Sequence, residues 1–261
     1  MKTMVLLING SLGLRVLEFV AQQNEVRVIG IIINSHSKRS SAYAQKVISL
    51  LSDLQLDVPV ISYEKDEDVL LGITSLLKEA NLGISALFGH ILPQSLLEGS
   101  SCEIINLHPS LLPIGRGADP IPWAIIEKQK QGVTIHKIDF GLDTGPIFSQ
   151  RELLVQDNLD AGKIYELAMD LLFSELKSIF ATWIAGEMKE KKQFDAGSSL
   201  HKSHELESLR VIHAQEMDSF EKFLLRLRAL TFSDGRRPLF LDDSGKVWEL
   251  NLSVLPHEVK S

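Results

Sequence analysis

The chain has 261 residues, 44% hydrophobic and 23% charged, enough for a large domain with a sizeable core and unlike a disordered segment. Its net charge of −7, with basic residues only in short clusters such as Lys189, Lys191, Lys192 and Arg236, Arg237, argues against bulk nucleic-acid binding. One cysteine, Cys102, precludes an internal disulfide, and no apolar run approaches the ~20 residues of a membrane span, so no membrane partner is expected.

The opening apolar run, residues 4–8, is too short for a signal peptide and is stopped by Asn9, Gly10 and Ser11, so a cytoplasmic protein is expected. A helical pattern comes next, with Leu14, Leu17 and Ala21 at helical spacing. Residues 26–34 form a second apolar, β-rich run, and residues 35–41 a polar loop. A helix is predicted over 42–54, a strand over 58–62 and a helix over 66–80, with Val69, Leu70, Ile73, Leu76 and Leu77 on one side. Strands are predicted at 84–88 and 103–107, and Cys102 reads as a small buried residue just before the second. Strands alternating with helices, each strand continuously apolar, predict an α/β fold: an open, mainly parallel, Rossmann-like sheet with helices on both faces. Ligands of such sheets sit beyond the carboxyl ends of the strands.

A short helix begins near Trp123, and residues 132–139 form a strand in which Val133, Ile135 and Ile138 alternate with Thr134, His136 and Asp139. Residues 140–148 turn into another strand, and a long helix runs over 161–186 with Asp160 as its N-cap. The stretch KEKKQFDAGSS reads as a linker. Beyond it, a helix over 219–230 and two short strands, turned at Asp243, Ser244 and Gly245, predict a small C-terminal α+β subdomain. The expected boundaries are 1–190 for a catalytic domain and 201–261 for the subdomain.

The strongest local signal is INLHPSLLP, residues 105–113. A buried strand ends there and delivers Asn106 and His108 to the same side, two residues apart. Pro109 and Pro113 stiffen the segment after the strand by fixing φ. The second signal is DFGLDTG, residues 139–145, a tight loop carrying Asp143 between two glycines. An amide can donate to an oxyanion, an imidazole exchanges protons near neutral pH, and a carboxylate orients the imidazole. Taken singly, each has a structural alternative: a satisfied histidine after a strand, a cap asparagine, a turn aspartate. His136 reads as structural and His90 as an exposed loop residue. His201 and His204 lack a third ligand, so no metal is expected. The N-terminal INGSLG lacks full dinucleotide-binding spacing, although Asn9 and Gly10, which also end a strand, are placed at the substrate cleft.

NLHPSLLP followed by RGADPIPWAI, GVTIHKID and GLDTGPI resembles the folate-dependent formyltransferase family, which includes methionyl-tRNA, glycinamide ribonucleotide and sugar N-formyltransferases. The resemblance is continuous over residues 84–149, looser before them and weak beyond 190. It implies a catalytic set of Asn106, His108 and Asp143. It also implies a pocket for N10-formyltetrahydrofolate, the formyl donor, from one loop of Phe88, Gly89, His90, Ile91 and Leu92 and another of Ile138, Asp139, Phe140, Gly141 and Leu142. The acceptor would meet Asn9, Gly10, Ser110, Arg116 and Gly117, with Arg116 suited to phosphates. Arg116, Gly117, Pro120 and Trp123 resemble the tRNA and sugar branches, and the short C-terminal part, in a chain of negative net charge, resembles the sugar branch. The implied reaction is therefore formyl transfer to the primary amine of a nucleotide-linked amino-deoxysugar. The alternatives are a methionyl-tRNA or small-amine formyltransferase and a formyltetrahydrofolate hydrolase. A homodimer through the C-terminal hairpin is a further expectation, because edge strands need cover.

Overall fold

A computed structural model describes residues 1–34, 38–194, 197–213, 219–232 and 235–251. Residues 35–37 of the polar loop predicted over 35–41, residues 195–196 of the predicted linker and the end of the last predicted strand at Leu252 lie outside these. Two compact units emerge: Met1–His108, Ile135–Ser149 and Leu172–Gln193 form the first, and Pro109–Thr134, Gln150–Leu171 and Phe194–Ser261 the second.

The first unit holds most of a sheet of β1 (Lys2–Ile8), β2 (Val26–Asn34), β3 (Val60–Tyr63), β4 (Leu82–Ala86), β5 (Glu103–His108), β7 (Gly132–Lys137) and β8 (Ile147–Glu152), in the order β3-β2-β1-β4-β5-β7-β8. The pairs β3-β2, β2-β1, β1-β4 and β4-β5 are parallel. Strand order reverses at β1, with β2 on one side and β4 on the other, so the carboxyl ends of β1 and β4 flank the switch point where such sheets bind ligands. The observed architecture is the α/β sheet expected from the alternating pattern.

Strand β1 is buried on both faces from Met4 to Ile8. Val5 and Leu7 join Ile32, Ile73, Leu77, Leu96 and Ile104 in one core, supplied by α3 (Glu67–Glu79) and α4 (Gln94–Glu98). Ile8 faces the other way, where Gly13 of α1 (Gly10–Ala21) approaches it so closely that a Cβ there would fall 2.8 Å from Ile8 Cβ. Burying each such aliphatic side chain stabilises by about 1.5–3 kcal/mol. Farther along α1, Phe19 meets Phe173 and Phe180 of α6 (Ala161–Ala185) edge-on, with ring centroids 5.9 and 5.0 Å apart. The face of α1 that is buried carries Leu12, Val16, Leu17 and Val20; of the predicted Leu14, Leu17 and Ala21, Leu17 is buried and the other two are half-buried. With Gly13 also turned inward, the apolar arc is too wide for spacing alone to centre it. Helix α2 (Lys38–Asp53) starts earlier than predicted. Strand β7 is buried at Val133, Thr134, Ile135 and His136 alike, so its alternation does not mark a solvent face.

An ionic cluster anchors this unit at β5. Glu103 accepts from Trp183 Nε1 at 2.9 Å and from Lys137 Nζ at 3.1 Å, and Lys137 also lies 3.6 Å from Glu190. Partial burial works against the Lys137 ammonium, but Glu103 and then Glu190 hold its pKa above the usual lysine value. Cys102, half-buried just before β5, has its thiol pushed up to about 12 by burial and by the neighbouring Glu103.

The second unit holds β6 (Arg116–Gly117) paired in parallel with β9 (Leu200–His201), the helices α5 (Pro120–Ile126), α7 (Ser203–Ser208) and α8 (Phe220–Leu230), and a sheet of β10 (Val211–His213), β11 (Leu239–Leu241) and β12 (Val247–Glu249). Of these, β6, α7, β9 and β10 were not predicted, being too short to show a period. The supposed linker is tied down at Ser199, whose Oγ accepts from Gly115 N at 2.8 Å and whose carbonyl accepts from Arg116 N at 3.0 Å. The β11–β12 hairpin is as expected, closed by Asp242, whose carboxylate accepts from Ser244, Lys246 and Trp248 and is held at about 2 by those bonds, Ser244 first. No helix among the described residues is long and apolar enough to cross a membrane.

Gly30 of β2 makes room for Leu76 of α3, since a Cβ at Gly30 would lie 2.6 Å from Leu76 Cδ1. Overpacking costs about 1–3 kcal/mol, more than the ~0.5–1 kcal/mol that replacing a strand glycine gains in chain entropy. Gly30→Ala should therefore destabilise wild type in urea denaturation, and the loss should shrink by more than half in a Leu76→Ala background. Equal losses in both backgrounds would show that the two positions do not share this space.

Candidate active site

Strand β5 presents Asn106 and His108 on the same side at its carboxyl end, where Asn106 pairs in register with Ser85 of β4. His108 is 5% exposed. The loop after β7 brings in Asp143, so the three residues picked out from separate segments converge within one unit. Asn106 Nδ2 lies 3.4 Å from Asp143 Oδ1, and His108 Nδ1 lies 3.7 Å from Asp143 Oδ2. The second separation exceeds a hydrogen bond and is a charge contact only.

A fourth group joins them. His136 on β7, expected to be structural, places Nε2 3.2 Å from Asn106 Nδ2 and 3.4 Å from Asp143 Oδ1. Its Nδ1 is 2.9 Å from the Lys137 carbonyl, which can only accept, so Nδ1 carries a proton. In the neutral ring Nε2 then has a lone pair, and the Asn106 amide divides its two hydrogens between His136 and Asp143. The sequence signal available was position: His136 ends the strand that feeds the Asp143 loop. Nitrogen and oxygen atoms of His108, His136 and Asp143 all lie within 4.8 Å of one another, a spacing that a metal ion could bridge, yet each already serves this polar cluster.

The loop owes its shape to three local devices. Asp143 has φ +54°, a left-handed conformation uncommon for a residue with a side chain. Thr144 Oγ1 and Gly141 N both donate to Asp139 Oδ1, at 2.7 and 3.1 Å. Gly145 lies against the end of β7 so tightly that a Cβ would sit 1.9 Å from the Lys137 carbonyl oxygen.

The two loops expected to bind the donor also lie in the first unit. Leu87 and Gly89 both have positive φ, which folds residues 88–92 back at the end of β4. Phe88 and Leu92 are buried in the core, while Ile91 is exposed. His90 is more than an exposed loop residue: its ring lies 4.7 Å from Tyr63 and 5.4 Å from Phe88, centroid to centroid. In the second loop, Ile138 packs on the core and its N donates to the Ile104 carbonyl at 2.7 Å, whereas Phe140 is 63% exposed and Leu142 half-buried. Asn9 and Gly10 join β1 to α1, with Asn9 N bonded to the Ala86 carbonyl and no side-chain cap on the helix.

The remaining expected acceptor residues belong to the second unit. Ser110 Oγ donates to the Ile114 carbonyl at 2.8 Å, and Arg116 is buried on β6 beside Gly117. Ser110 and Gly115 line a small recess with Trp123, Glu127 and Ser199. Trp123 Nε1 is buried there without a hydrogen-bond partner among the described residues. His201 stacks on Trp123 at 3.9 Å and meets Glu127 and Glu205 at 2.9 and 3.2 Å.

The sequence profile named Formyl transferase matches residues 2–172, a span that contains the whole converging cluster. The chain belongs to the formyl transferase family. A relative from Mycobacterium tuberculosis, dTDP-4-amino-4,6-dideoxyglucose formyltransferase, is 35% identical over 179 residues, 69% of this chain and 75% of the relative. The fold is shared with a 4-N formyltransferase from Francisella tularensis, at TM-score 0.83 and 19% identity over 98% of this chain and 99% of the other. It is also shared with an N-formyltransferase from Helicobacter canadensis, solved with folinic acid and dTDP-3-aminofucose, at TM-score 0.70 and 19% identity over 90% and 82%. The protein is thus a formyltransferase, as the NLHPSLLP and GLDTGPI segments implied.

In this formyltransferase, Gly145→Ala should force the Asp143 loop off the end of β7. A shift near 1 Å at a reacting group can cost about 100-fold in rate. Formyl transfer should fall by that order while the circular dichroism spectrum stays native. Gly72→Ala is the control, because its Cβ would make only an ordinary 3.4 Å contact with Ile61.

Proposed function

We propose that this formyltransferase moves the formyl group of N10-formyltetrahydrofolate onto the primary amine of a nucleotide-linked amino-deoxysugar, a small-molecule acceptor. The observation that carries the reading is the convergence of Asn106, His108 and Asp143 at the carboxyl end of β5. The acceptor activity named for the mycobacterial relative and the folate and sugar-nucleotide ligands of the Helicobacter protein support the choice of substrates.

In this reading the neutral amine attacks the formyl carbon, and the carbonyl oxygen becomes an oxyanion. Asn106 and protonated His108 donate to it, each such preorganised donor contributing about 3 kcal/mol. The long 3.4 Å contact from Asn106 to Asp143 is the weaker of its two, and is the one the oxyanion would replace. Collapse breaks the bond from the formyl carbon to folate N10. The amine loses a proton, N10 gains one, and Asp143 with His108 passes it between them. No step calls for a metal. The donor sits against residues 88–92 and 138–142, and Asn9, Gly10, Ser110, Arg116 and Gly117 meet the acceptor, with Arg116 suited to its phosphates.

The proposal takes residues 1–190 as the catalytic domain and 201–261 as a subdomain, in a cytoplasmic protein. It includes a homodimer through the β11–β12 hairpin, whose Val247 and Trp248 are exposed. Light scattering that finds a monomer at assay concentration would remove the dimer alone.

The test is incubation with N10-formyltetrahydrofolate and separate acceptors: dTDP-4-amino-4,6-dideoxyglucose, aminoacylated initiator tRNA, and no amine. Tetrahydrofolate release only with the sugar nucleotide is expected; release with the tRNA, or without amine, would replace this reading. His108→Ala and Asp143→Asn should lose nearly all turnover at unchanged melting temperature. Asparagine tolerates the left-handed backbone that position 143 requires, so its loss of activity would report on the charge.

A further inference from the structure

Gln193 closes the segment that follows α6, and two of its contacts concern the catalytic loop. Its Nε2 donates to the Asp143 carbonyl at 2.9 Å and to the Gly145 carbonyl at 2.7 Å. Both acceptors are carbonyl oxygens, so the orientation of the amide is determined: only the NH2 group can face them. The two carbonyls bracket Thr144, and the residue at the start of the bracket is the one with φ +54°. That left-handed backbone is uncommon for a residue with a side chain, and the clasp adds to the bonds Asp139 makes within the loop. An amide that bonds two carbonyls two residues apart holds both peptide planes at once, while the side chain of Asp143 faces Asn106 and His108.

Gln193 is itself held. Two residues earlier, Lys191 exchanges a pair of backbone hydrogen bonds with Ile147, N to O at 2.9 Å and O to N at 2.8 Å. Ile147 begins β8, directly after the loop and Pro146. The clasp therefore ties the loop to its own exit strand through a segment some fifty positions away in sequence.

We infer that Gln193 is a positioning residue for Asp143, setting the carboxylate for proton transfer through a two-carbonyl clasp on its loop. The inference rests on the catalytic reading of Asp143. A residue that only stabilised the fold would change melting temperature, or affect all backgrounds alike. A positioning residue should lower kcat and leave substrate KM nearly unchanged, and its effect should vanish once the carboxylate is gone.

The test uses Gln193→Met, which keeps length but removes the donors, and Gln193→Glu, which opposes oxygen to oxygen, in the full chain. Assays use N10-formyltetrahydrofolate with dTDP-4-amino-4,6-dideoxyglucose. Both variants should lose roughly tenfold to about 100-fold in kcat, with KM for either substrate within about twofold. In an Asp143→Asn background, Gln193→Met should cause no further loss. A crystal structure of Gln193→Met should show Asp143 turned away from Asn106, a readout that needs no acceptor. Unchanged kcat, an equal loss in the Asp143→Asn background, or an unmoved loop overturns the inference. If Asp143→Asn itself keeps full turnover, the catalytic reading fails instead, and the two failures are distinguishable.

Discussion

The carboxylate of Asp143 meets the end of β5 because the chain two residues later has no side chain. At Gly145 the loop passes so close to the Lys137 carbonyl that a Cβ would lie 1.9 Å from it. That approach lets residues 138–145 fold back over β7, with Asp143 in a left-handed conformation and its side chain toward Asn106 and His108. A looser loop would leave an amide and an imidazole on a rigid strand with no carboxylate between them. Asp139, which collects bonds from Gly141 and Thr144, braces the same turn from within.

The rigid half of the site is a consequence of sheet burial. β5 lies beside β4, and the core behind it is closed by Ile104, Leu77 and Leu96. Apolar residues on both faces leave a parallel strand few polar positions, and those gather at its carboxyl end, beyond the hydrophobic layer. His136 follows the same rule one strand over, which is why its ring meets the cluster although it sits on a fully buried strand. A buried imidazole with Nδ1 committed to a carbonyl has one tautomer in its neutral form, and that tautomer orients the Asn106 amide.

The converging cluster and the Arg116 strand belong to different units. Every residue of the converging cluster comes from the first unit, and the family match ends at residue 172. Ser110, Arg116 and Gly117 belong to the second, where the short pairing of β6 with β9 fixes the backbone of Arg116 from the C-terminal side.

The sheet, its helices and the positions of Asn106, His108 and Asp143 were legible in the sequence, because continuous apolar strands, helical spacing and strand-end polar residues are local patterns. The buried face of α1 was found only at Leu17, and α4, α7, β6, β9 and β10 were missed, since segments of two to six residues show no period. Only the tertiary structure decided the role of His136, the clasp from Gln193, the pairing of Ser199 with the Arg116 strand and the stacking of His201 on Trp123. Each depends on residues distant in sequence arriving at hydrogen-bond or ring-contact distance. A one-dimensional pattern carries which groups are polar and which are buried; it does not carry the through-space distances that make a partner of one residue rather than another.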